Sequence, residues 1–250
     1  MRIDYPPIAA AQKIILTLLV VLGAVLPAAH AQSFSVLYRF TGGADGGDPL
    51  GPLTLDKAGN LYGTTYEGGD PGCYGGCGTV FQLTHGSGGW SESTLHDFTG
   101  GADGGAPLGG LIFDAAGNLY GTAQVGGVSC GQEFGCGVAF ELTPGSGGWN
   151  ESVLYSFRTV DGYYPVAGLT FEKGHLYGTT PNGGSGNGGG TAFELSRSTG
   201  GWKDKTLHNF TSRQDGGEPP RGLWSSTWRV ISTVQHRAVA GPKAARCTSY

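Results

Sequence analysis

Charge is scarce in this chain. Lys, Arg, Asp and Glu make up 14% of its 250 residues and leave a formal net charge of −4. Phosphate binding needs a field of Lys and Arg, so nucleic acid is excluded as a partner class. No block of a single sign marks a tail for polyanions or membrane surfaces. A sustained 3.6-residue period is also missing, so almost no helix is expected. Only one long apolar run occurs, IILTLLVVLGAVL at 14–26. Arg2 and Lys13 precede it and Ala-His-Ala ends at Ala31, the order of a secretory signal peptide cleaved between Ala31 and Gln32. The run is short for a membrane span. A retained anchor is the alternative reading. The mature chain is therefore expected without a membrane span, exported to the periplasm, the cell surface or the medium.

Glycine is abundant, at 49 residues. That content would ordinarily suggest low complexity, but the apolar residues recur too regularly for it. VLYRF (36–40), TLHDF (94–98), VLYSF (153–157) and TLHNF (206–210) stand 58, 59 and 53 residues apart. Each is followed by an Asp-Gly pair and a proline: Asp45 and Pro49, Asp103 and Pro107, Asp161 and Pro165, Asp215 and Pro219. NLYGT-type segments follow around Tyr62, Tyr120 and Tyr177. A glycine-rich loop then leads to GTVFQLT (78–84), GVAFELT (137–143) and GTAFELS (190–196). Gly-Gly-Trp at Trp90, Trp149 and Trp202 opens the next unit.

Each unit thus holds about four short segments that alternate apolar and polar residues, rich in Val, Leu, Tyr, Phe and Thr. The DG, GN and GG pairs between them supply the positive-φ positions of tight turns. Four antiparallel strands in a unit of 55–60 residues predict an all-β, propeller-like tandem array, incomplete and open. A β-solenoid is the alternative, with coils much shorter than this unit. Over residues 36–223, the linked motifs G-N-L-Y-G-T and G-T-V-F-x-L resemble the GloVer (Gloeo/Verruco) "choice-of-anchor tandem repeat" family of exported bacterial proteins. The resemblance implies a secreted or surface protein of many tandem units and carries over no catalytic residue.

A fourth unit is announced by RQDGGEPPRGL (213–223) and then replaced by unrelated text. Third codon bases joined to the first two of the next codon allow V-F-D-L-A-G-N-L-Y-G-T from Trp224 to Gln235. The alanine, at Trp228 and Arg229, is forced when Arg229 has a CGN codon. A frameshift near codon 223 is the reading, with 224–250 a poorly packed tail; a genuine unrelated tail is the alternative.

Cys73 and Cys77 share one loop of the first unit, and Cys130 and Cys136 the same loop of the second. Export favours one local disulfide per loop; a four-thiolate zinc site is the rival, with loose spacing for it. Cys247 falls in the tail. His96 and His208 occupy positions where other units carry Tyr38 and Tyr155, which points to aromatic packing with a polar tip. His175 replaces the Asn of GNLY and reads as a turn residue. The repeated Asp45, Asp103, Asp161 and Asp215 read as turn formers; calcium at GGADGGD (42–48) is the alternative, without EF-hand spacing. GVSCG (127–131) and GSGNGG (184–189) match nucleophile-elbow and dinucleotide patterns, but without a helix to follow and amid abundant glycine they carry nothing.

The function expected is a non-catalytic surface or periplasmic binding or structural module. Tyr74, Phe134, Tyr163 and Tyr164 are its candidate contacts for a glycan or a surface protein. No cofactor or metal is expected. The alternatives are a propeller hydrolase or lyase, which would require the unit-specific Glu67, Asp70, Glu133 and Arg158 to converge, and a non-functional frameshifted product.

Overall fold

The computed structural model describes residues 33–185 and 188–211. The signal-peptide site at Ala31 and Gln32 and the 224–250 segment lie outside the described residues. Met1–Val36 and Leu37–Tyr250 form separate units, and the description below concerns the second. Its described residues contain strands, bridges and turns and no helix.

Twelve strands form three four-stranded antiparallel sheets in tandem, each a simple meander. The first contains β1 (Thr54–Leu55), β2 (Leu61–Thr65), β3 (Thr79–Gly86) and β4 (Gly89–Asp97). The second contains β5 (Ile112–Phe113), β6 (Leu119–Ala123), β7 (Val138–Gly145) and β8 (Gly148–Ser156). The third contains β9 (Thr170–Glu172), β10 (His175–Thr180), β11 (Thr191–Ser198) and β12 (Gly201–Asn209). No sheet closes on itself. The array is propeller-like and all-β.

The sheets and the sequence repeat are out of phase. Gly-Gly-Trp does not separate two sheets: a tight turn carries β3 at Gly86 into β4 at Gly89, and these strands pair through their whole length. TLHDF is therefore the end of the fourth strand, not the start of a sheet. At that end the pairing slips between Val80 and Phe81, leaving Leu95 as an extra residue opposite them. Leu154 and Leu207 are the extra residues of the other two sheets. A bulge bends the strand and re-aims the side chains that follow it, here His96, Tyr155 and His208.

The apolar residues bury between successive sheets. One core joins Tyr62, Cys77 and Val80 of the first sheet to Leu111, Leu119 and Phe140 of the second. The other joins Tyr120, Cys136 and Ala139 to Leu169, Leu176 and Phe193. The aromatic ending each outer strand reaches the next sheet: Phe98 meets Phe140 at 5.1 Å between centroids, and Phe157 meets Phe193 at 4.9 Å. Phe40 meets Phe81 in the same way at 4.8 Å. Between sheets, Thr64 donates its hydroxyl to the carbonyl of Gly109 (3.2 Å) and Thr122 to that of Ala167 (3.0 Å). Full burial of one Leu or Phe is worth about 1.5–3 kcal/mol, so these interfaces are where the array gains its stability.

Candidate functional site

Alternating strand direction sends loops to two ends of each sheet. One end carries tight turns. Asp56 accepts hydrogen bonds from the N–H groups of Ala58 and Asn60, the Asn60 side chain and the Tyr62 hydroxyl. Asp114 repeats the set with Ala116, Asn118 and Tyr120. Burial and the Asp56 hydrogen bond push the Tyr62 phenol up to about 12. In the third sheet this turn contracts to Lys173 and Gly174, with φ of 51° and 84°, the left-handed pair of a two-residue hairpin. His175 is consequently the first strand residue and not part of the turn; its Nδ1 stands 2.7 Å from Glu194 Oε1.

The opposite end carries the long loops and most of the side chains singled out from sequence. Cys73 is bonded to Cys77 and Cys130 to Cys136, one bridge within each loop. Both second cysteines are fully buried. Their carbonyls accept hydrogen bonds from the next Asp-Gly loop, Cys77 from Ala106 N (2.7 Å) and Cys136 from Tyr164 N (2.9 Å). Each bridge thus anchors the following unit. Disulfides persist in oxidising compartments, so the pair indicates an oxidising, non-cytosolic location. Among the described residues no helix is long and apolar enough to cross a membrane, and no group of three or more His, Cys, Asp or Glu is placed to hold a metal ion.

The Asp-Gly aspartates form turns, and they also receive the Tyr/His position, a pairing that the sequence reading kept as two separate features. Asp45 accepts hydrogen bonds from Thr41 N–H (2.9 Å), the Thr41 hydroxyl and the Tyr38 hydroxyl (3.1 Å). Burial pulls its carboxyl upward, but those bonds outweigh it and hold it below the ordinary carboxylate value. Tyr155 donates to Asp161 at 2.5 Å. His96 Nε2 stands 3.5 Å from Asp103. Burial lowers the His96 imidazole, and the charge of Asp103 does not restore it, so the ring is neutral near pH 7 and this is a polar contact more than an ion pair. The recurrence of Tyr or His six or seven residues before each aspartate was the available signal.

A second carboxylate set escaped notice in the sequence: Glu92, Glu151 and Asp204, one on each outer strand. Burial, followed by the charge of Asp103, pushes Glu151 up to about 7; burial and Asp161 do the same for Asp204.

The four residues that an enzyme would need to converge keep separate company. Glu67 pairs by backbone with Gly47, and Asp70 accepts the N–H of Gly72. The charge of Glu133 acts on the Tyr164 phenol, and that of Arg158 on the Tyr155 phenol. Among the described residues no hydrogen bond or ion pair joins any two of these four.

The aromatic candidates lie at the long-loop end of their sheets, in the same loops as those four residues. Tyr74 lies inside the Cys73–Cys77 ring and is fully exposed, and Phe134 lies inside the Cys130–Cys136 ring and is exposed. Tyr163 and Tyr164, both half-buried, meet edge to face at 4.9 Å.

Tandem four-stranded sheets cored between neighbours, with disulfide-closed loops at one end, define a propeller-like repeat protein. The chain belongs to the Gloeobacter/Verrucomicrobia repeat family, whose model matches residues 22–240. No curated protein matches the chain.

Proposed function

We propose that this chain is an exported binding module that recognises extracellular glycans with the long-loop end of its sheets. The observation that carries the reading is the exposure of Tyr74 and Phe134 inside disulfide-closed rings. Neither aromatic side chain belongs to a core, and an exposed aromatic held by a covalent loop is available at low entropic cost to stack on a sugar face. Export follows from the signal-peptide pattern ending at Ala31 and agrees with the two bridges. Affinity electrophoresis of the oxidised protein in gels containing soluble polysaccharides tests it. Retardation by at least one polysaccharide is expected, weakened about tenfold or more in Tyr74→Ala or Phe134→Ala. Migration unaffected by every polysaccharide, or retardation indifferent to both substitutions, would refute it.

A further inference from the structure

The same sequence position is buried in two sheets and open in the first. Leu111 and Leu169, which begin the approach to β5 and β9, are 5% and 6% exposed, whereas Leu53 before β1 is 49% exposed. Leu50 and Leu55 beside it are also exposed. The difference has a plain cause: Leu111 is covered by the first sheet and Leu169 by the second, and Leu53 has no such cover among the described residues.

The third sheet shows the complementary deficit. Tyr62 packs on Phe113 and Trp149 of the next sheet, and Tyr120 on Phe171 and Trp202. Tyr177, their counterpart, is only half-buried and its ring meets His175 of its own strand. Thr64 and Thr122 donate to carbonyls of the next sheet, yet the hydroxyl of Thr179 is buried without a partner among the described residues. A buried hydroxyl left unpaired is destabilising, and within this array its counterparts are satisfied only by a following sheet.

We propose that the third sheet of one copy docks on the first sheet of a second copy, head to tail, continuing the interface that already joins the sheets within the chain. Tyr177 then packs on Leu55 and Trp90 of the second copy, the counterparts of Phe113 and Trp149. Leu53 is buried as Leu111 is, and Thr179 donates to the carbonyl of Gly51, the counterpart of Gly109 and Ala167. Phe40 already stands on Phe81 as Phe98 stands on Phe140. Docking therefore exchanges the Leu37–Phe40 segment, which lies in no strand, for the end of β12 and the Phe210 that follows it, whose N–H is bonded to the Gly190 carbonyl. Exchange of equivalent elements between copies is a low-cost route to association. Propellers close with about four to eight sheets; the three formed by the described residues do not suffice, and those of two copies together fall within that range.

Sedimentation velocity of the oxidised full-length chain over a wide concentration range tests the proposal. Self-association is expected, weakened about tenfold or more by Leu53→Asp or Tyr177→Ala, with folding of each variant checked by circular dichroism and an unchanged melting temperature. Thr179→Val is expected to weaken association while raising the stability of the free chain. A photo-cross-linking residue at position 177 should label residues 49–55 of the second copy. A monomer at every concentration, association insensitive to Leu53→Asp, or cross-links from position 177 only to residues 212–250 of the same chain would overturn it.

Discussion

Gly121 lies directly opposite Phe140, and a methyl group on it would stand 2.5 Å from the ring's Cζ. Gly63 and Phe81, and Gly178 and Phe193, repeat the relationship. The glycine of each NLYGT segment is therefore the floor on which the phenylalanine of the neighbouring strand lies. Gly121→Ala should destabilise the protein by about 1–3 kcal/mol through overpacking. Phe140→Leu costs packing on its own, but the double variant should lose less than the two single losses combined. Urea denaturation of the four species checks this; strict additivity would show that the methyl is accommodated elsewhere.

Buried threonines change together. Thr65 and Thr79 share a hydroxyl–hydroxyl bond of 2.9 Å, Thr180 and Thr191 one of 2.8 Å, and the second sheet places Ala123 opposite Val138 at this position. Removing one partner leaves a buried polar group, whereas removing both need not. Thr65→Ala should cost about 1–3 kcal/mol, and Thr65→Ala combined with Thr79→Val should recover part of that loss in the same denaturation measurement.

Stability should fall as pH rises from mildly acidic to neutral. Glu151 and Asp204 are pushed up to about 7, from ordinary values of 4.5 and 3.8, mainly by burial. The folded state therefore binds their protons more tightly than the unfolded chain. Their contribution is complete below the ordinary values and is lost as pH climbs through about 7. Asp45, Asp56 and Asp114 are held below 3.8, so their contribution is lost only at more acidic pH. The melting temperature should decline between about pH 4.5 and pH 7, less steeply below pH 6.5, where His96, lowered by burial, acts in the opposite sense. Glu151→Gln with Asp204→Asn should flatten that decline. A flat profile in the unsubstituted protein would contradict this placement of the two acids.

The bridges should matter more for recognition than for folding. Each closes a very short loop, with sequence separations of 4 and 6, for which chain entropy gives roughly 2 kcal/mol. Replacing Cys130 and Cys136 by Ala should lower the melting temperature by several degrees, about 2–8 °C. It should weaken polysaccharide retardation more strongly, because Phe134 loses its fixed position. Retardation unchanged in that variant would separate the ring from the binding face.

Much of this architecture was legible before any coordinates. Strand segments, turn pairs and the partnering of cysteines within a loop are local, set by residues within a few positions of one another. The third-sheet turn at Lys173 and Gly174 was missed because its contraction moves His175 into the strand. The Asp–Tyr/His contacts were missed because the bulges at Leu95, Leu154 and Leu207 break the alternation from which side-chain direction is read.

By itself, the sequence determined that the chain builds four short strands per unit, joins them through glycine turns and closes two loops with cysteine. Period, turn chemistry and loop spacing are properties of neighbouring residues. Only the tertiary structure decided where one sheet ends and the next begins, because a repeat has the same period wherever it is cut and strand pairing alone sets the phase. Only the tertiary structure, likewise, separated Leu53 from Leu111 and Leu169: the residue is the same in all three, and its burial depends on whether another sheet lies against it.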